Sequence, residues 1–149
     1  MPRSISMLVA VLALTLACAA GEDANTEDTA ADAAGATAQP LQAQLQAQAE
    51  SGVSGMVTVT PQGNEAAFAM HVMGTAGTYT GHVHQGSCAD TTESAMVADL
   101  GTVRVPEGGM ADHAATAPVA ADSLLNGRHF VGLHRQDGGP HIACANLQR

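Results

Sequence analysis

The sequence predicts an all-β domain, an antiparallel β-sandwich or barrel of about 100 residues. Short runs in which apolar and polar residues alternate recur after residue 50, and turn-forming residues separate them. The chain has 149 residues but only two Phe, one Tyr and no Trp. Its core must therefore be modest and built from Val, Leu, Met and Ala. A core of this kind benefits from a covalent or metal crosslink.

Six runs are predicted to be strands because they alternate with period two or stop at Gly, Pro or Asn. These runs are 56–60, 67–73, 79–84, 102–105, 129–134 and 141–147. The clearest turns are Pro61–Asn64, Pro106–Gly109 and Asp137–Pro140. Residues 121–125 predict a short helical turn.

The N-terminus predicts an export signal. Arg3 supplies one positive charge, and an uncharged apolar run extends from Ile5 to Ala17. The run is shorter than the roughly 18 to 20 apolar residues that a membrane span needs. The residues Leu14–Cys18 resemble a bacterial lipobox, which implies a signal peptide over residues 1–17 and a lipid anchor on Cys18. The protein is then an exported, membrane-anchored lipoprotein that faces the periplasm or the cell exterior.

Residues 18–50 predict a disordered tether. From Ala19 to Glu50 the chain is rich in Ala, Thr, Gln, Asp and Glu, and Leu41 and Leu45 are its only large apolar residues. Such a segment buries too little surface to offset the entropy of ordering. A transient helix over residues 41–48 is the structured alternative. The folded domain is expected over residues 51–149.

The charge balance excludes one class of partner. The chain has 14 Asp and Glu against 5 basic residues, for a net charge of −9. Nucleic-acid binding needs clustered Lys and Arg that displace counterions from phosphates, and the sequence has no such cluster.

The histidines indicate a metal site. His82 and His84 lie two apart on a predicted strand, so both side chains project from one face and Val83 from the other. In the run 129–134 the same alternation places His134 away from the core-facing side, where it can be a third ligand. Imidazole ligands suit Cu, Zn, Ni or Fe, and the order of affinities favours copper.

Two cysteines remain once Cys18 is assigned to the lipid. Cys88 and Cys144 are 56 positions apart, and a bond between them would stabilise the fold by about 4 kcal/mol. Two buried free thiols are the alternative, which an oxidising compartment disfavours.

Four blocks of the sequence resemble Cu,Zn superoxide dismutase, and together they span roughly residues 52–149. The blocks are Gly81–Cys88, Asp99–Val103, Gly127–His134 and Gly138–Cys144. The resemblance implies a Greek-key β-barrel, a Cys88–Cys144 disulfide and copper ligands at His82, His84 and His134. It also implies an activity, the conversion of superoxide to oxygen and hydrogen peroxide.

The zinc loop of that family is missing. Residues 89–98 contain no His, Met96 stands where the third zinc His would fall, and Asp99 is the only zinc-type ligand left. Since structural zinc needs four ligands, we expect no zinc site of the family's kind.

The substrate-guiding Arg of the family is replaced by His141. Arg135 or a protonated His141 can substitute for it, and His141 is also a candidate fourth copper ligand. His71 lies between Met70 and Met73, a pattern that either binds Cu(I) or places Met70 in the core beside a solvated His71.

The sequence therefore leaves three functions open. The first is a copper-only superoxide dismutase, and the second is a lipoprotein that binds or buffers copper without catalysis. The third is a surface module that resembles the chordin-type repeat, which shares the His-x-His pattern but as a rule lacks the cysteine pair.

Overall fold

The computed structural model describes residues 39–90 and 94–149. Within these residues the chain forms eight strands and one four-residue helix, which confirms the all-β prediction. The elements in chain order are β1 (Leu41–Ala47), β2 (Val53–Gln62), β3 (Glu65–Gly74), β4 (Gly77–Gln85), β5 (Met96–Val105), β6 (Met110–Ala117), α1 (Ala121–Leu124), β7 (Asn126–Arg135) and β8 (Ala143–Gln148).

The strands form one antiparallel sheet in the order β5-β4-β7-β8-β1-β2-β3-β6. Its two end strands, β5 and β6, lie against each other, so the sheet nearly closes into a barrel. The ring Nε2 of His113 on β6 donates to the carbonyl of Leu100 on β5 at 2.7 Å. This side chain bridges the seam between the two end strands, and closure leaves few unpaired strand edges.

The connections between strands are of the Greek-key type. Strands β4, β5 and β6 follow one another around the barrel, and β7 then returns to pair with β4. The consequence is that residues 82–84 and 130–134, far apart in sequence, become direct neighbours.

Small apolar side chains fill the interior, as the composition predicts. Every second residue of β3 is buried, from Ala66 to Val72, and β2 contributes Val53, Val57 and Val59. Leu133 on β7 and Leu147 on β8 are fully buried as well. These alternating strands have one face in the core and one face in water.

The prediction of a disordered tether up to residue 50 is wrong for its C-terminal part. Residues 41–47 form β1, which pairs with β2 over five positions and with β8 over two. Leu41, Ala43 and Leu45 alternate with exposed glutamines, and Leu45 is fully buried. Period-two burial against two neighbouring strands overrides the local helix preference of this segment. The ordered domain therefore begins before residue 51.

The other strand predictions are largely confirmed. Five of the six runs lie inside β2, β3, β4, β5 and β7, whereas the sixth becomes regular only at Ala143. The predicted helical turn is α1. Strand β6 was not predicted, because its Ala and Thr residues give no strong alternation.

The predicted signal peptide over residues 1–17, the predicted lipidation of Cys18 and the predicted tether up to residue 38 lie outside the described residues. In the part of the chain that is described, no helix combines the length and hydrophobicity needed to cross a bilayer.

Candidate metal centre

Three histidines converge at one end of the barrel. His82 and His84 project from β4, and His134 projects from the neighbouring strand β7. One ligand nitrogen from each ring lies within 4.8 Å of the other two. Val83 points the opposite way and is fully buried. The alternation inferred from sequence and the pairing of β4 with β7 together bring all three predicted ligands to one place.

Backbone carbonyls orient two of these rings. The Nδ1 of His84 donates to the carbonyl of Ser94 at 3.2 Å, and the Nδ1 of His134 donates to the carbonyl of Gly139 at 3.0 Å. Because a carbonyl oxygen only accepts, both Nδ1 atoms carry the proton. In the neutral rings both Nε2 atoms are then bare lone pairs, and they face each other at 3.1 Å. Two lone pairs at this distance repel unless a cation lies between them.

Asp99 lies beside the third ring. Its Oδ1 is 3.9 Å from Nε2 of His82, and the same oxygen accepts a hydrogen bond from the amide of Gly101. At this distance the carboxylate does not hydrogen-bond to the ring, but its negative charge raises the pKa of His82. Asp99 was the only zinc-type ligand that the sequence retained, and the structure places it beside His82.

Partial burial favours the neutral form of His82 and His84. Burial lowers the pKa of His82 below its ordinary 6.5, and the neighbouring His134 lowers it further, against the opposing effect of Asp99. Burial also lowers the pKa of His84, although the hydrogen bond to Ser94 opposes this. Neutral imidazole is the form that ligates metals, so these shifts favour metal binding at neutral pH.

Two residues that the sequence did not single out, Phe130 and Gly132, lie against the ligand histidines. The ring of Phe130 stacks on His84 with centroids 5.2 Å apart and planes 18° apart. Gly132 lies opposite His82, and a Cβ added there would meet Nε2 of His134 at 3.2 Å and Cδ2 of His84 at 3.5 Å. A side chain at this position would therefore crowd the ligand rings and displace them by a few tenths of an ångström. The only sequence signal is the position of this glycine two residues before His134.

His141 lies beside the three-histidine group and is not a member of it. Its ring centroid is 6.3 Å from that of His134 and 5.4 Å from that of Phe130. Burial lowers the pKa of His141, His134 adds to this effect, and a hydrogen bond to the backbone of Cys88 opposes it. The residue thus lines the site next to the ligands, and its role as a fourth ligand stays a prediction.

The predicted disulfide is present. Cys88 and Cys144 are bonded, with their Cα atoms 5.7 Å apart. The amide of Cys88 also donates to Oδ1 of Asn146 at 2.8 Å. Both contacts fix the segment that follows β4 onto β8, next to the strand that supplies His134.

The three rings line an open cleft of about 950 Å³. Its walls carry Arg135 and Asp90, and Met96 faces the cleft from the position on β5 that pairs with His84. The side chain of His82 keeps 23% of its surface accessible. A small anion can therefore reach the ligand rings from solvent.

No known protein family matches this chain, and no curated protein matches it either. The interpretation of the site therefore depends on its geometry and on the sequence blocks described above.

Proposed function

We propose that this protein binds one copper ion through His82, His84 and His134 and is a copper-dependent superoxide dismutase. The observation that carries the proposal is the pair of Nε2 atoms of His84 and His134, which face each other 3.1 Å apart, with His82 completing a three-imidazole donor set. Imidazole nitrogens fit several transition metals, and among the divalent ions copper binds such sites most tightly. Three protein ligands beside an open cleft also leave room for a small substrate.

Copper, when bound, supplies the one-electron chemistry. Held by His82, His84 and His134, it would pass one electron from one superoxide, which leaves as dioxygen, to a second superoxide, which takes up two protons and leaves as hydrogen peroxide. The chain's own residues hold the donors in place through the carbonyls of Ser94 and Gly139. The open cleft admits both superoxide and the water that delivers protons.

Arg135 is the cation that the cleft offers to an incoming anion. It follows His134 directly in sequence, and an attractive charge there raises the rate of encounter. Asp90 on the cleft wall and Asp99 beside His82 act in the opposite direction. We therefore expect association with superoxide to be slower than in a site flanked by cations alone.

The test compares the purified protein with two variants after copper loading. We expect one copper per wild-type chain and rapid decay of superoxide in a stopped-flow measurement. His134→Ala should lose the copper and the activity. His129→Ala is the matched control, because His129 lies on the same strand and hydrogen-bonds to Asn126, away from the cleft. Superoxide decay no faster than that caused by free copper would contradict the proposal.

Copper binding without turnover is the second candidate. The acidic residues near the ligands and the presence of His141 where the resemblance has an Arg favour it. The same experiment separates the two functions, since a buffering protein would bind one copper and leave superoxide decay unchanged. A chain that takes up no stoichiometric copper would instead fit the chordin-type module.

We also propose that the protein is exported and anchored by a lipid on Cys18. The Cys88–Cys144 disulfide supports export, because such bonds persist in oxidising compartments. The wild-type protein should incorporate labelled fatty acid and fractionate with membranes. Cys18→Ala should lose both properties, and an unlabelled wild-type chain would contradict the anchor.

A further inference from the structure

The outer face of β2, β3 and β6 bears an unusual group of side chains, which we call the thioether patch. The patch contains three exposed methionines, and the accessible fractions are 43% for Met56, 41% for Met73 and 60% for Met110. Its other two members are His71 and Asp112, with side chains 47% and 88% accessible. Single apolar residues on a surface need no explanation, but three methionines around one histidine do.

The strand register places these five residues next to one another. Met56 lies directly opposite His71 on one side, and Asp112 lies directly opposite His71 on the other. Met73 is two residues beyond His71 on the same face, and it pairs with Met110. Opposed residues have Cβ atoms about 4.5 to 5.5 Å apart. Because a methionine side chain has three rotatable bonds, all three sulfur atoms can reach a common point near the His71 ring.

Asp112 leaves one nitrogen of His71 ready to ligate. The Nδ1 of His71 donates to Oδ1 of Asp112 at 2.7 Å. In the neutral ring the proton is thereby held on Nδ1, so Nε2 offers its lone pair. A carboxylate that hydrogen-bonds the far nitrogen of a ligand imidazole is the usual support for a protein-bound metal.

We propose that the thioether patch binds one Cu(I) ion through the sulfur atoms of Met56, Met73 and Met110 and Nε2 of His71. Asp112 orients the imidazole. Thioethers are soft ligands that select Cu(I) over hard cations such as Mg²⁺ and Ca²⁺. Met70 takes no part because it faces the core and is 1% exposed. The patch is distinct from the cleft, whose ligands lie on β4 and β7, so this proposal does not depend on the proposed function.

Methyl NMR of the purified full-length protein separates the patch from the cleft. With methionine ε-methyl groups labelled, anaerobic Cu(I) should shift the signals of Met56, Met73 and Met110 and leave that of Met70 in place. Ag(I), a soft ion that does not change oxidation state, should give the same pattern. If saturating Cu(I) leaves the three patch methyls unmoved, the proposal is overturned.

Cu(I) affinities of variants provide a second test of the thioether patch. The M56L/M73L/M110L variant keeps side-chain volume and removes the sulfur atoms, and we expect it to lose the patch site in a competition titration with a Cu(I) chelator. Asp112→Asn should weaken binding there about tenfold. Met70→Leu is the matched control and should bind as the wild type does. A triple variant with wild-type Cu(I) stoichiometry and affinity would overturn the proposal, whatever its dismutase activity.

Discussion

At the scale of single residues, the position of the ligands followed from sequence but their orientation did not. The two-residue spacing of His82 and His84 was sufficient to place their rings on one face, and the alternation that ends at His134 left that ring free to be a third ligand. The resemblance implied that the three rings share one ion. The hydrogen bonds that fix their tautomers come from the carbonyls of Ser94 and Gly139. A carbonyl has no residue-type signature, so no sequence pattern can indicate which one accepts.

Gly132 gives a test of ligand geometry. In Gly132→Ala the added methyl would press on the rings of His134 and His84, and its backbone φ does not lie in the left-handed region. We expect copper affinity to fall about tenfold, a size typical of changes around metal ligands, with little change in thermal stability. A competition titration with a copper chelator measures the effect.

Gly108→Ala is the control for this variant. The position has open space around it and no left-handed φ, so copper affinity should stay at the wild-type value. Equal affinities in both variants would mean that Gly132 does not control the positions of the rings.

The lowered pKa values predict how stability depends on pH in the metal-free protein. Burial holds the pKa of His82, His84 and His141 below 6.5 in the folded state. The unfolded chain therefore binds more protons as the pH falls through about 6.5, and stability falls with it. Urea unfolding midpoints measured from pH 8 to pH 5 should decrease towards acid. The decrease should be smaller in His84→Gln, and a midpoint that rises towards pH 5.5 would contradict the assignment.

At the scale of elements, β1 shows where composition misleads. Its Gln and Ala residues resemble those of a spacer, and its two leucines also fit a helical i, i+4 pair. What decides the outcome is pairing with β2 and β8, and these partners are distant in sequence. Strand β6 was missed for a related reason, since Ala-rich strands depend on neighbours such as β3 for their stability.

Leu45 tests whether β1 belongs to the folded domain. The side chain is fully buried, so Leu45→Ala should lower the free energy of unfolding by about 3 kcal/mol. Gln44→Ala, at an exposed neighbouring position, should change it by less than about 0.5 kcal/mol. Denaturant unfolding gives both values. A Leu45→Ala protein as stable as the wild type would mean that β1 is not part of the core in solution.

At the scale of the whole molecule, closure of the barrel and the disulfide together hold the site. The chain order of the strands makes β4 and β7 neighbours, and Cys88–Cys144 ties the end of β4 to β8. The resemblance stated from four sequence blocks anticipated both the barrel and the bond. The near contact of β5 and β6, bridged by His113, depends on the curvature of the sheet, which no local pattern encodes.

Removal of the disulfide should affect stability and copper binding together. The double variant Cys88→Ser, Cys144→Ser should lose about 4 kcal/mol of stability, the value expected for a crosslink across a loop of this size. Copper affinity should fall as well, because the segment after β4 is no longer fixed. Guanidinium unfolding and chelator competition measure the two effects. A reducing agent should reproduce them in the wild type and leave the variant unchanged, and a variant with wild-type copper affinity would separate the bond from the site.

His84 and His134 are 50 positions apart in the chain, and this separation determines when during folding the site can form. A newly made chain presents the first two imidazoles as a local pair, and the third joins them only after β7 has returned to β4. Until then the chain competes poorly for scarce ions. Metal binding through all three imidazoles is thus a late event in maturation, because it requires β7 to have paired with β4.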